Sequence, residues 1–238
     1  QNGKTVFDVE PTEFVQTMEQ IVELGACVIG GCCGTNPTYI KELTQKLSNA
    51  KIQPITQKNL SVISSGTKTV YFQKDKPTGL IGERINPTGK KKFKEALRNN
   101  DISYIINQGL EQENANAKIL DVNVGLPEID EKEMMVQVMT ELQGVTSLPL
   151  QIDTASPEVL EAALRRYNGK ALVNSVNGKT EVMEAVFPIV KKYGGVVVAL
   201  TLDETGIPET SEGRIKIAEK IIATAQKYGI AKKDIVVD

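Results

Sequence analysis

Two groups of residues in this chain have the types and spacing to do chemistry. The first is Gly30-Gly31-Cys32-Cys33-Gly34-Thr35, where two adjacent thiols stand between glycines after a short apolar run. Adjacent thiols suit a soft metal ion, and flanking glycines let the backbone turn tightly enough for both sulfurs to face it. The second is a recurrence of carboxylates and amides at the ends of successive apolar runs: Glu83 and Asn86, Asp121 and Asn123, Asp153, Asn174, and finally Asp238. Such residues offer acceptors, and from the asparagines donors as well, to a polar ring-shaped ligand.

Those residues need elements to hold them. Pro11 opens a helix over 11–24 with Phe14, Met18, Ile21 and Val22 as its apolar stripe and Gly25 as its stop. Ala26-Cys27-Val28-Ile29 reads as a short buried strand, with Cys27 in the core. Asn36-Pro37-Thr38 starts a second helix, with Tyr39, Ile40, Leu43 and Leu47 on its apolar side. Residues 51–76, rich in Lys, Gln, Ser and Thr, read as a linker with some local order.

From residue 77 the pattern is regular. Strands over 79–86, 119–123, 148–153, 171–174, 195–202 and 235–237 alternate with helices within 90–118, 131–143, 157–167, 179–193 and 211–228. Alternation argues for a parallel sheet, and nearly continuous apolar strands argue that both faces are covered. The pattern fits an incomplete eight-stranded β/α barrel or an open doubly wound sheet. In a barrel the polar strand ends would line one mouth, where ligands bind. The plain alternative for any one of them is a helix cap, most of all for Asp203 in Asp203-Glu204-Thr205-Gly206.

Composition narrows the function. Among 238 residues the net charge is −2, and no apolar stretch is long enough to span a bilayer, so neither nucleic acid nor a membrane is an expected partner. Three cysteines crowded in one segment make no disulfide framework, and a reducing cytoplasm is the expected setting. There is no histidine, which excludes imidazole-dependent catalysis within the chain. The first residue is not Met and the opening lacks a signal-peptide pattern, so a fragment or a processed product is expected. A cavity of Asp and Asn suits the donors and acceptors of a neutral pterin edge better than a phosphate.

The ordered phrases Ile81-Gly82-Glu83-Arg84-Ile85-Asn86, Leu120-Asp121-Val122-Asn123-Val124-Gly125, Ile152-Asp153-Thr154, Val173-Asn174-Ser175 and Asp238 resemble the pterin-binding domain of cobalamin-dependent methionine synthases and of methyltetrahydrofolate:corrinoid methyltransferases. The GGCCGT segment resembles the end of the homocysteine-binding barrel of the same synthases. Together the resemblances imply a synthase fragment: residues 1–50 from the homocysteine domain, a linker over 51–76, and a truncated pterin-binding (β/α)8 barrel over 77–238. They imply that Asp153 and Asn174 contact the pterin and serve its chemistry, joined by Asp238, while Glu83, Asn86, Asp121 and Asn123 line or brace the pocket. A further asparagine near the pterin N5 is implied on a strand beyond Asp238.

The implied reaction carries a methyl group from methyltetrahydrofolate through cob(I)alamin to homocysteine. Donation of a proton to N5 must strengthen in the transition state, because a reduced pterin amine leaves poorly. The resemblance also implies Cys32 and Cys33 as zinc ligands, with the third ligand missing from this chain and cobalamin held by a cobalamin-binding domain elsewhere. Cys32 and Cys33 as two small core residues is the alternative for that segment. A corrinoid methyltransferase or a catalytically inactive pterin-binding truncation are the alternatives for the whole, and dihydropteroate synthase shares the barrel without the cysteines.

Overall fold

In the computed structural model, residue 3, residues 5–51, residue 54 and residues 58–238 are described. Gln1, Asn2 and Lys4 of the amino-terminal stretch, and residues 52, 53 and 55–57 of the expected linker, lie outside the described residues. The chain divides into two units, Gln1–Lys58 and Asn59–Asp238.

The first unit is a helix pair. Helix α1 (Pro11–Glu23) begins at its proline and ends before Gly25, whose φ of +107° only glycine adopts easily. Helix α2 (Pro37–Lys46) is capped by the Asn36 side chain, which accepts from Thr38 N. The helices pack through Val15, Leu43 and an edge-on contact between Phe14 and Tyr39 at 5.6 Å. Ile21, expected in the α1 stripe, is exposed. Two further expectations are corrected here. Residues 26–29 form no strand, and Cys27 is exposed instead of lying in a core. An apolar run becomes a strand only beside another strand that takes its backbone N–H and C=O groups, and no strand occurs among the described residues of this unit.

The second unit begins with a hairpin, where a linker was expected. Strands β1 (Val62–Ser64) and β2 (Thr69–Tyr71) pair antiparallel. Six parallel strands follow: β3 (Ile81–Ile85), β4 (Ile119–Val122), β5 (Leu150–Asp153), β6 (Leu172–Asn177), β7 (Val196–Leu200) and β8 (Ile235–Val237). They are joined by helices α3 (Lys91–Arg98), α4 (Ile102–Asn114), α5 (Glu131–Val145), α6 (Pro157–Arg166), α7 (Thr180–Tyr193) and α8 (Ser211–Lys227). Strand order in space is the order in the chain, β3 through β8. A doubly wound sheet reverses at a switch point; this sheet does not, so it is the incomplete barrel.

Period-two alternation sorts the strand residues. Leu120, Val122, Leu150, Ile152, Val173, Val197 and Ala199 face the helices and join one core with residues such as Met135, Leu142, Leu160, Phe187 and Ile221. Their neighbours in sequence face the barrel interior. Its lower layer is Ile119, Leu172 and Val196, closed from beneath by Ile63 of the hairpin, with Val70 and Phe72 alongside. Tyr167 fastens this plug: its hydroxyl donates to Ser64 O at 2.9 Å and accepts from Leu150 N at 3.0 Å. Above the apolar layer the interior turns polar.

Candidate functional site

Two bulges shape the upper interior. The pairing of β3 with β4 slips between Gly82 and Ile85, and that of β6 with β7 slips between Val173 and Val176. A bulge re-aims side chains next to a site at the cost of an unpaired backbone group. At the first bulge the cost is met by α4. Gln112 Oε1 accepts from Arg84 N at 2.7 Å. Gly82 permits that approach, since a Cβ there would stand 2.6 Å from the same oxygen. The residues carried in the two slips include Glu83 and Asn174.

Asp153 is the best-oriented carboxylate. Asn123 Nδ2 donates to its Oδ2 at 2.9 Å. The Asn123 amide cannot turn over without loss, because its Oδ1 accepts from Gly125 N at 2.9 Å. Asp153 is the register partner of Asn174 across β5 and β6, so the two side chains leave the same face of the sheet. Burial, then the negative charges of Glu83 and Glu131, push the Asp153 carboxyl up against the pull of the Asn123 bond.

Asp121 lies deeper, 1% exposed. Burial pushes its carboxyl up to about 7, with Asp153 and Glu83 adding to the rise and the amides of Gln151 and Asn174 opposing it. Glu83, Asp121, Asp153 and Asn174 thus lie near one another at the carboxyl ends of the strands. Asn86 is buried and braces the rim: its Nδ2 donates to Glu83 Oε1 at 3.4 Å and its Oδ1 accepts from Thr88 N at 2.8 Å. Asp238 is held by backbone bonds, its N–H to Ala199 O and its carbonyl from Thr201, both at 2.9 Å. Asp203 makes a local turn, accepting from Thr205 N and Oγ1 at 2.8 and 2.7 Å, and stays outside the hollow's hydrogen bonds.

Sequence reasoning passed over two side chains here. Gln151 is 6% exposed and donates to Asp121. Its signal was available: a polar residue two positions before Asp153, hence on the same strand face. Lys90 Nζ donates to the carbonyls of Glu83 and Asn86 at 3.1 and 3.3 Å, which puts a cation at the rim.

In the first unit, Cys32 and Cys33 are exposed, not core residues. With Val6, Phe7, Phe14 and Tyr39 they border a hollow of about 230 Å³. The loop turns through Gly34 at φ +83°, with Thr35 N donating to Cys32 O at 3.1 Å. Two thiols are suitable zinc donors, but among the described residues no third His, Cys, Asp or Glu joins them, so these residues alone do not make a zinc centre. Among the described residues no helix is long and apolar enough to cross a membrane.

A sequence model described as pterin binding enzyme matches residues 82–238. The chain belongs to the pterin binding enzymes. A second model, homocysteine S-methyltransferase, matches residues 1–47. The pterin-binding unit and the helix pair together are similar to methionine synthase of Mycobacterium tuberculosis (strain ATCC 25618 / H37Rv), 31% identical over 225 residues, 92% of this chain and 19% of that protein. Methionine synthase of Mycobacterium leprae (strain TN) is 29% identical over 244 residues, 98% of this chain and 20% of that protein. The chain thus spans about a fifth of the length of these relatives. In fold, the pterin-binding barrel is similar to dihydropteroate synthase from Xanthomonas albilineans in complex with 7,8-dihydropteroate, with a TM-score of 0.56, 22% identity, and 75% of this chain on 64% of that one. The enzyme from Vibrio fischeri ES114 gives 0.55, 16%, 74% and 65%.

Proposed function

We propose that this chain is the part of a cobalamin-dependent methionine synthase that ends the homocysteine domain and carries most of the folate domain. Its barrel binds methyltetrahydrofolate at the mouth. The observation that carries the reading is the Asn123-oriented carboxylate of Asp153 beside Asn174, at the rim where β/α barrels do chemistry. Asp153 accepts from the ring N–H and amino donors of the pterin. Asn174 offers both a donor and an acceptor to the ring edge, and Asp238 closes the set. Glu83, Asn86, Asp121 and Asn123 shape the hollow. Asp153 and Asn174 hold the ring so that a proton reaches N5 as the methyl group departs, which stabilises the transition state more than the ground state. Cobalamin, brought by another domain, supplies the reduced cobalt that takes the methyl group.

The second reaction partner is homocysteine, and Cys32 and Cys33 supply two thiolates toward a zinc site whose remaining ligand lies outside the described residues. The match of residues 1–47 to homocysteine S-methyltransferases supports this assignment. In the longer protein, Cys32→Ser with Cys33→Ser is expected to abolish stoichiometric zinc by metal analysis; unchanged zinc content would remove both residues from the ligand set.

Asp153→Ala leaves pterin donors unpaired in a partly dry site. It is expected to weaken methyltetrahydrofolate binding by roughly 1–3 kcal/mol, about 5- to 150-fold. Calorimetric titration of the 238-residue chain checks it, and an unaltered affinity would take Asp153 out of the pocket. Binding without methyl transfer to added cob(I)alamin would mark this piece as a binding module.

A further inference from the structure

Two acceptors on paired residues lie buried in the barrel interior, neither with a hydrogen-bond partner among the described residues. Gln151 Nε2 donates to Asp121 Oδ1. Asp121 Oδ2 and Gln151 Oε1 are then the buried side-chain oxygens left without a hydrogen-bond partner among the described residues. The two residues are register partners on β4 and β5, 1% and 6% exposed. A buried acceptor left unpaired is costly, and a buried carboxylate whose donors are only neutral amides is more so.

A carboxylic acid and a primary amide have a mutual solution. The amide N–H donates to the acid C=O, and the acid O–H donates to the amide C=O, closing a ring of two hydrogen bonds. The first of these bonds is already present. One solvent proton bonded to Asp121 Oδ2 turns that oxygen into the missing donor and gives Gln151 Oε1 its partner. A single O–H bond then satisfies both orphans.

The groups facing Asp121 agree with this. From β3 comes Glu83, from β5 Gln151 and Asp153, and from β6 Asn174; no cation is among those that influence it. An ionised Asp121 would be a third carboxylate beside those of Glu83 and Asp153. Burial and its two acidic neighbours push it up to about 7.

We propose that Asp121 is held as the neutral acid in a cyclic pair with Gln151, and that Gln151 is thereby a positioning residue for the floor of the pterin pocket. The consequence for the pocket rests on the pterin reading: with Asp121 neutral, Asp153 presents its charge to the ring without a second anion beneath it.

The test is a carbon-13 NMR titration of aspartate side-chain carboxyls in the complete 238-residue chain. One resonance, absent in Asp121→Asn, is expected to titrate near neutrality. In Gln151→Glu, where a second carboxyl must share the proton, the same resonance is expected to shift and its titration to broaden over two steps. A midpoint in the ordinary aspartate range near 4 would overturn the proposal, as would a titration indifferent to Gln151→Glu. Calorimetry with methyltetrahydrofolate on the same sample separates the two readings. A near-neutral Asp121 without pterin binding overturns the pterin pocket and keeps the pair, while pterin binding with an ordinary Asp121 overturns the pair alone.

Discussion

The Ile63→Ala variant is expected to lose roughly 2–5 kcal/mol of stability, the usual range for emptying a fully buried isoleucine site. Ile63 is completely buried although its strand has only three residues. It fills the lower end of the barrel against Ile119, Leu172 and Val196, each at 0–1% exposure. Those neighbours belong to a hydrogen-bonded sheet and cannot close onto the space that a methyl group would leave. Urea unfolding of the 238-residue chain measures the loss. A cost below about 1 kcal/mol would mean that the hairpin does not plug the barrel.

Stability is expected to fall as pH rises from about 4 to about 7, and Asp121 is the main cause. Its folded-state value is raised from 3.8 to about 7. Between those limits the folded chain keeps a proton that the unfolded chain has released, so raising the pH favours unfolding. The contribution is fully present below the unfolded value and gone above the folded one. At about 1.4 kcal/mol per tenfold change in proton affinity, the displacement is worth roughly 4 kcal/mol. Asp153 shifts in the same direction and adds to the trend. The check is unfolding free energy against pH for the parent and for Asp121→Asn, which has no proton to lose. The difference between them should widen in favour of the variant up to about pH 7 and then stay level. A parent curve parallel to that of Asp121→Asn would refute the assignment.

The barrel was legible because its signals are long and repeated. Runs such as Val196–Leu200 mark an element without help from the rest of the chain. The family phrases then placed Asp153, Asn174 and Asp121 on neighbouring strands, and the structure sets Asp153 beside Asn174 in register with Asp121 close by. The hairpin was not legible. Each of its strands has three residues, and the turn between them carries Gly, Thr and Lys, so only its docking against distant strands makes it a hairpin. Ala26–Ile29 failed for the converse reason: an apolar run reads as a strand, yet no strand among the described residues of its unit pairs with it. Gln151 was missed although its place two residues before Asp153 put it on the same strand face, because a lone amide in an apolar strand does not stand out by type, and its burial against Asp121 shows its role.

The hairpin precedes everything it rests on. Ser64 bonds to Lys170, 106 residues downstream, and its carbonyl waits for Tyr167, 103 residues away. At synthesis rates of about 5–20 residues per second, the plug spends roughly 5–20 s after leaving the ribosome with no seat to occupy. Closing so long a loop is also entropically costly. The last event of this unit's folding should therefore be the return of its first segment, and until then the nascent barrel presents an open apolar floor to any chaperone that meets it.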